Sequence, residues 1–338
     1  MDVREYLSDD GQALLALCSP FALTDDSLDG GPFTLAEWNK VEKQIQQSSW
    51  KRPAELQGKT AEEIAKTLSI SMADATRIAR LLDRSGRLAL ELEGIFSRGM
   101  WGVTRVDQSY PAKLRETLKH QAPTVLFGAG EIDLLKRGGV GVVGSRNIDE
   151  AGTLFAKEAG RKIAEAGLPV ISGGARGTDR LAMEGALAAE GFAIGALADS
   201  LEATIRKGDV REFVVNGRLA LLTPYSPTAG FSVGAAMGRN KVIYGLADFA
   251  IVVSSDYQTG GTWAGASEAL KASWCPVFVR ESANVPKGNR ELGKLGAVSL
   301  PEAELPKISN LANWMRDKAK ATPVEQELFD LNASRPKR

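Results

Sequence analysis

Hydrophobic positions follow two different rhythms along this chain. Up to about residue 98 they recur every three or four residues, the spacing of one buried helix face. Ala13, Leu14, Leu15, Leu17 and Cys18 predict an apolar helix that stops near Pro20. Thr34-Leu35-Ala36-Glu37-Trp38 reads as a helix start, because a threonine followed three residues later by a glutamate caps the first amides reciprocally. That helix continues through Val41 and Ile45, and Thr60-Ala61-Glu62-Glu63 repeats the capping spacing. Ile64, Leu68, Ile70, Ala75, Ile78, Leu81 and Leu82 then run through two helices broken around Ser69 to Ser71. No strand is expected here.

From residue 140 the rhythm changes to short apolar runs separated by helical stretches. Strands are expected at 140–143, 169–171, 192–197, 218–222, 249–253 and 277–279, with helices at 152–166, 178–189, 233–246 and 264–272. Unbroken apolar strands alternating with helices predict an α/β fold, a doubly wound and mostly parallel sheet covered on both faces. Its ligand crevice belongs at the carboxyl ends of the strands. Residues 99–136 bridge the two parts with a strand at 102–105, a turn at Tyr110-Pro111, a helix at 112–118 and a strand at 125–128. The expected organisation is therefore a small helical N-terminal domain (1–98), an extension (99–136), the sheet domain (137–300) and a polar tail (301–338) ending Arg335-Pro336-Lys337-Arg338.

Composition narrows the function classes. With 338 residues, 43% hydrophobic and 25% charged, the chain is ordinary for a globular protein. No apolar run approaches the roughly 18 residues of a membrane span, and the start lacks the profile of a secretory signal, so a cytoplasmic protein is expected. Cys18 and Cys275 are far apart and read as buried thiols. Forty-two basic residues balance 42 acidic ones, so any nucleic-acid binding has to come from a local patch. The single histidine, His120, speaks against histidine-based catalysis or a histidine-rich metal site, and no metal or cofactor is expected. Residues 60–87 fit a helix-turn-helix with Arg77, Arg80, Arg84 and Arg87 near DNA, but a small bundle with solvated arginines accounts for the loose pattern more simply.

Chemistry concentrates in four turns. Gly139-Val140-Gly141-Val142-Val143-Gly144 spells G-x-G-x-x-G, yet these glycines lie in the predicted strand rather than after it. No acidic residue closes a following strand in the ribose-binding manner, which argues against an ordinary dinucleotide enzyme. The informative part is the exit, Gly144-Ser145-Arg146-Asn147. The second turn, within V-I-S-G-G-A-R-G-T-D-R at 170–180, is a strand, a glycine turn and a helix start. Such a turn offers backbone N–H groups to an anion, and Arg176 adds a forked guanidinium suited to phosphate. Gly238-Arg239-Asn240-Lys241 and Thr259-Gly260-Gly261-Thr262 complete the set. Any one could be structural; four in one crevice favour an extended anion site. The candidate phosphate-binding residues are Ser145, Arg146, Gly173, Gly174, Arg176, Gly177, Arg239, Asn240, Lys241, Gly260, Gly261 and Thr262.

The order G-S-R, S-G-G-A-R-G-T-D, G-R-N-K-V-I-Y-G-L-A-D and T-G-G-T resembles the DNA-processing protein A family, also called Smf. Its members are usually written G-[ST]-R, S-G-x-A-x-G-I-D, R-x-N-R-I-I-A-G-L-[SA]-D and S-G-[ST]. Asp107, Tyr110-Pro111-Ala112-Lys113-Leu114 resembles the D-x-x-Y-P-x-x-L lead-in to the family's Rossmann-like domain, and the likeness runs over about residues 10–285. The resemblance implies a homodimer that binds single-stranded DNA in the crevice, without covalent chemistry, and hands it to the RecA recombinase. Arg146, Arg176, Arg239 and Lys241 would hold phosphates, and the turn residues would donate N–H groups or allow close approach. Thr178 stands where the family has isoleucine, Met237-Gly238 precede Arg239 in place of a doubly basic start, and the residues after Leu300 are too few for the family's winged helix. A divergent paralogue in phage defence, partnered by an operon-encoded toxin, fits these departures. The alternatives are a nucleotide sensor or antitoxin using the same pocket, and a nucleoside-monophosphate phosphoribohydrolase with Glu268 as its acid. In the latter the glutamate follows Thr262 by six residues rather than three, about one helical turn out of place.

Overall fold

The computed structural model describes residues 6–23 and 30–321. Its strands are β1 (Met100–Thr104), β2 (Val125–Ala129), β3 (Val140–Gly144), β4 (Val170–Ser172), β5 (Ala193–Ala196), β6 (Leu219–Thr223), β7 (Phe249–Ser254), β8 (Val277–Glu281) and β9 (Val298–Pro301). They form one nine-stranded sheet in the order β1-β2-β6-β5-β4-β3-β7-β8-β9. β2 runs antiparallel to β1 and β6, and every other pair is parallel. The chain steps outward from β3 to β6, then returns to the other side of β3 as β7. The loops after β3 and β7 therefore diverge, which opens a crevice at their carboxyl ends. The expected doubly wound sheet is present and larger than anticipated, since the segment 99–136 contributes β1 and β2.

Helices α1 (Asp9–Cys18), α2 (Leu35–Gln47), α3 (Ala61–Leu68), α4 (Met72–Asp83) and α5 (Ser85–Ser97) form the N-terminal module. Thr34 and Thr60 each close the capping box that the sequence predicts. The module rests on β1 and β2, with the rings of Phe21 and Phe127 5.1 Å apart. α3 and α4 do form a helix–turn–helix shape, but two of its arginines face inward. Arg77 lies 4.0 Å over the Phe33 ring and donates to Gly31 O, Pro32 O and Glu37. Arg84 donates to Ala16 O, Ser19 O and Phe21 O. These guanidiniums join segments of the module, while Arg80 is exposed.

The remaining helices are α6 (Ala112–Leu118), α7 (Glu150–Glu165), α8 (Thr178–Ala188), α9 (Leu201–Ile205), α10 (Gly208–Val215), α11 (Val233–Leu246), α12 (Gly260–Ala272), α13 (Lys287–Lys294) and α14 (Leu311–Ala321). Right-handed crossovers place α7 and α8 on one face of the sheet and α11 and α12 on the other. α7 and α8 approach very closely. A Cβ at Gly160 would lie 2.1 Å from Ala182 O, and one at Gly185 would lie 2.2 Å from Lys157 O. Two expectations change. The helix expected from 264 begins at Gly260, because the glycine turn is itself the first helical turn. The polar tail expected from 301 carries α14, which buries Leu311 and Met315 and packs Trp314 on Phe278. The basic end 335–338 lies outside the described residues. Among the described residues no helix is long and apolar enough to cross a membrane, and no cluster of His, Cys, Asp or Glu has the makings of a metal site.

Candidate nucleic-acid interface

The four turns meet in one continuous chain of contacts at the β3/β7 switch point. Ser145 N donates to Ser254 O at 2.9 Å, so the exit of β3 is pinned to the end of β7. Thr178, the first residue of α8, donates its amide (3.3 Å) and hydroxyl (3.1 Å) to Ser145 O, which joins the first turn to the second. Arg176 reinforces that junction by donating to Asn147 Oδ1 at 2.9 Å. The second turn reaches the third through Gly173, where a Cβ would lie 2.0 Å from an Arg239 guanidinium nitrogen and 2.4 Å from Asp179 Oδ2, so any larger residue would displace both side chains. The third reaches the fourth where Asn240 Nδ2 donates to Gly261 O at 3.2 Å.

The basic residues divide into a rim and a floor. Arg146 and Arg176 are exposed beside the turns, and Arg146 lies 5.1 Å over the ring of Phe231. Phe231 is itself 52% exposed, next to the helix-capping Ser232, and sequence reasoning missed it. An apolar residue stranded beside a capping serine, outside any periodic run, is the signal that could have found it. Arg239 is buried and donates to Ala196 O, while its Nε has no partner among the described residues. It therefore props the floor under Gly173 rather than lining the surface.

Asp179 is buried beside it and accepts from Gly173 N at 3.1 Å. Burial pushes its carboxyl up to about 6, against the opposing pull of the Arg239 charge and of the Ala175 and Gly173 amides. Burial also pulls Arg239 below the usual guanidinium range, partly offset by Asp179.

Lys241 does not join the others. It sits two positions after Arg239 on α11 and turns toward the turn that follows α6 and toward α12, where its Nζ pairs with Gln121 Oε1 at 2.8 Å and Glu268 Oε1 at 2.7 Å. The same ion pair occupies the carboxylate that a phosphoribohydrolase would need as its free acid. Gly174 and Gly177 carry φ of +65° and +87° in the second turn, and Gly260, at +77°, has open space around it. Thr262 is half-buried in the first turn of α12.

Helix starts supply the remaining positive character. Asp149 caps α7 and Ser232 caps α11 through their side chains. By contrast Gly177 and Thr259, the residues that precede α8 and α12, make no side-chain hydrogen bond to the first amides. Both ends belong to the candidate turns, but at α8 the Thr178 and Arg180 amides already donate to Ser145 O and Ala175 O, which leaves the start of α12 as the one whose N–H groups favour an anion.

Residues 101–306, more than half of the chain, match the family model described as DNA recombination-mediator protein A. The chain is 27% identical over 229 residues to a DNA processing protein DprA of Mycobacterium tuberculosis, covering 64% of this chain and 56% of the relative. It is 31% identical over 157 residues to DprA of Streptococcus pneumoniae, covering 46% and 54%. The chain thus spans about half the length of the curated relatives it matches. The structure of S. pneumoniae DprA superposes with a TM-score of 0.59 at 21% identity, over 81% of this chain and 98% of the other. A structure of Helicobacter pylori DNA processing protein A, described for its single-stranded DNA binding mode, gives 0.52 at 24% identity, over 66% and 97%. These likenesses share the fold, and with the motifs in their predicted crevice and the family model spanning the whole sheet, the chain belongs to the DNA recombination-mediator protein A family.

Proposed function

We propose that the chain binds single-stranded DNA in the switch-point crevice, without covalent chemistry. The observation that carries this reading is the rim: two exposed guanidiniums, Arg146 and Arg176, with the exposed ring of Phe231 against Arg146, on turns joined to the uncapped start of α12. Backbone phosphates take the guanidiniums and the free amides, and a base takes the ring, which is the sequence-tolerant way to hold a single strand. Ser145, Gly173, Gly174, Gly177, Asn240, Gly260, Gly261 and Thr262 shape the surface the strand lies on, and Arg239 supports it from beneath. Lys241 stays outside the contact. The named ligand of the H. pylori protein supports this assignment by analogy. A homodimer through the sheet domain, and transfer of the strand to a recombinase in DNA processing, recombination or phage defence, extend the proposal on the family's account.

Fluorescence anisotropy with labelled oligonucleotides tests it. Affinity falls with salt, with a log–log slope of about −0.7 per phosphate engaged on a single strand. Arg176→Ala lowers affinity and makes that slope shallower by about one phosphate, whereas Lys241→Ala leaves both unchanged. Salt-insensitive binding, or equal binding by Arg176→Ala, defeats the proposal. A nucleotide sensor would instead show competition by a mononucleotide as effective as that by the oligonucleotide.

A further inference from the structure

On the far side of α12's first turn lies an aromatic pair that the crevice does not use. Tyr257, in the loop leaving β7, and Trp263, in α12, meet edge to face with centroids 5.0 Å apart at 78°. Both residues are half-buried. Lys287, the exposed first residue of α13, holds its Nζ 4.4 Å from the Tyr257 centroid. Gly261, on the inner side of the same helical turn, faces Asn240 and Met237. The first turn of α12 thus separates the crevice from the aromatic pair and touches both.

The backbone sets this arrangement, which leaves little for flexible side chains to find. Asn289 is 1% exposed and joins three elements: Ser255 N donates to its Oδ1 at 2.8 Å, and its Nδ2 donates to Val253 O and Arg280 O at 3.1 and 3.0 Å. Gly288 lets α13 press onto the β7 exit loop, since a Cβ there would lie 2.1 Å from Ser255 O. Lys287 is therefore delivered over Tyr257 by a fixed frame, and preorganised rings lose little freedom on binding. The neighbouring Asp256 is exposed and disfavours a cluster of phosphates at this corner. The chemistry that fits is one stacked base with one phosphate near Lys287.

We propose that Tyr257, Trp263 and Lys287 form a second platform on which a base of the same DNA strand stacks as it passes over α12 out of the crevice. This rests on the single-strand reading above and adds a path and a direction to it. The strand would then occupy both sides of the switch point, with its bound length set by two stacking stations, Phe231 and the Tyr257–Trp263 pair.

The test uses the full chain and two oligothymidylates, of about four and about 16 nucleotides, the range of site sizes for single-strand-binding folds. Tyr257→Leu weakens binding of the longer strand at least about fivefold, the size expected for losing one stacked base. Lys287→Gln weakens it and makes its salt slope shallower by about one phosphate, and neither substitution affects the shorter strand. Tryptophan emission supplies a second readout: the longer strand quenches it in the wild type, and the quench shrinks in Trp263→Phe. Equal affinity of wild type, Tyr257→Leu and Lys287→Gln for the longer strand, with Arg176→Ala still impaired, overturns the platform while leaving the crevice intact. Weakening of both lengths alike also overturns it, because that marks a structural role. Absence of salt-sensitive binding by the wild type removes the crevice reading and the platform with it.

Discussion

Arg239 and Lys241 are two positions apart in the sequence and differ entirely in what they touch. Residues two apart on a helix point roughly 200° away from one another, so a basic cluster in a helical stretch is not a basic cluster in space. The sequence placed both on the phosphate surface; the structure puts one under it and the other against Gln121 and Glu268. What sequence could not convey is burial, and burial also sets the behaviour of Asp179. Its carboxyl titrates near 6 in the fold, against 3.8 when free. A carboxyl raised on folding contributes stability that is fully present below the free value and lost as pH rises through the folded one. The whole effect amounts to about 3 kcal/mol between the two limits. Asp179→Asn removes the titration while keeping the shape, so thermal melts of the wild type fall between about pH 4 and pH 7 relative to those of the variant. Parallel melting curves across that range would show that Asp179 stays ionised throughout.

At the scale of elements, most of the doubly wound core was legible because each strand is a short apolar run and each major helix has a periodic face. α11 matches the expected 233–246, and β7 differs from expectation by one residue. The elements that escaped notice lack such signals. α9 and α13 are short, and β9 is an edge strand in which only Leu300 is fully buried. The start of α12 was hidden by its glycines, which read as a turn and serve as the opening of a helix. The pair α7–α8 shows how packing of elements reaches the site, for both helices lead directly out of the candidate turns. Gly160→Val would drive a side chain into the backbone of Ala182, and overpacking of this kind costs about 1–3 kcal/mol. The expected result is a lower melting temperature together with weaker oligonucleotide binding, since α8 can no longer hold Thr178 on Ser145. Leu154→Ala, on the same α7 but 65% exposed, serves as the control and changes neither.

Across the whole molecule, the balance of 42 basic and 42 acidic side chains means that the binding surface is a local excess, and the N-terminal module adds little to it. Arg77 and Arg84 are committed to carbonyls inside that module. Besides the Phe21–Phe127 contact and the Arg105–Glu42 ion pair, one carboxylate ties it to the sheet. Asp107 Oδ1 accepts from the amide and hydroxyl of Ser8, the residue that caps α1, at 2.9 and 2.6 Å. Its Oδ2 accepts from the amide and hydroxyl of Thr104, at the end of β1, both at 2.7 Å. The aspartate of the lead-in motif therefore clamps the first helix to the first strand, a role that its spacing from Tyr110-Pro111 could not reveal. Asp107→Ala would strand a buried Thr104 amide and hydroxyl, at about 1–3 kcal/mol for each unsatisfied group. Hydrogen exchange should then quicken in α1 and β1 while β3, β4 and β7 keep their protection, and oligonucleotide affinity should hold, because the crevice lies on strands that Asp107 does not touch. Uniform loss of protection across the sheet would mean that the module and the sheet unfold as one unit, and that the helices at the N-terminus are part of what keeps the crevice in shape.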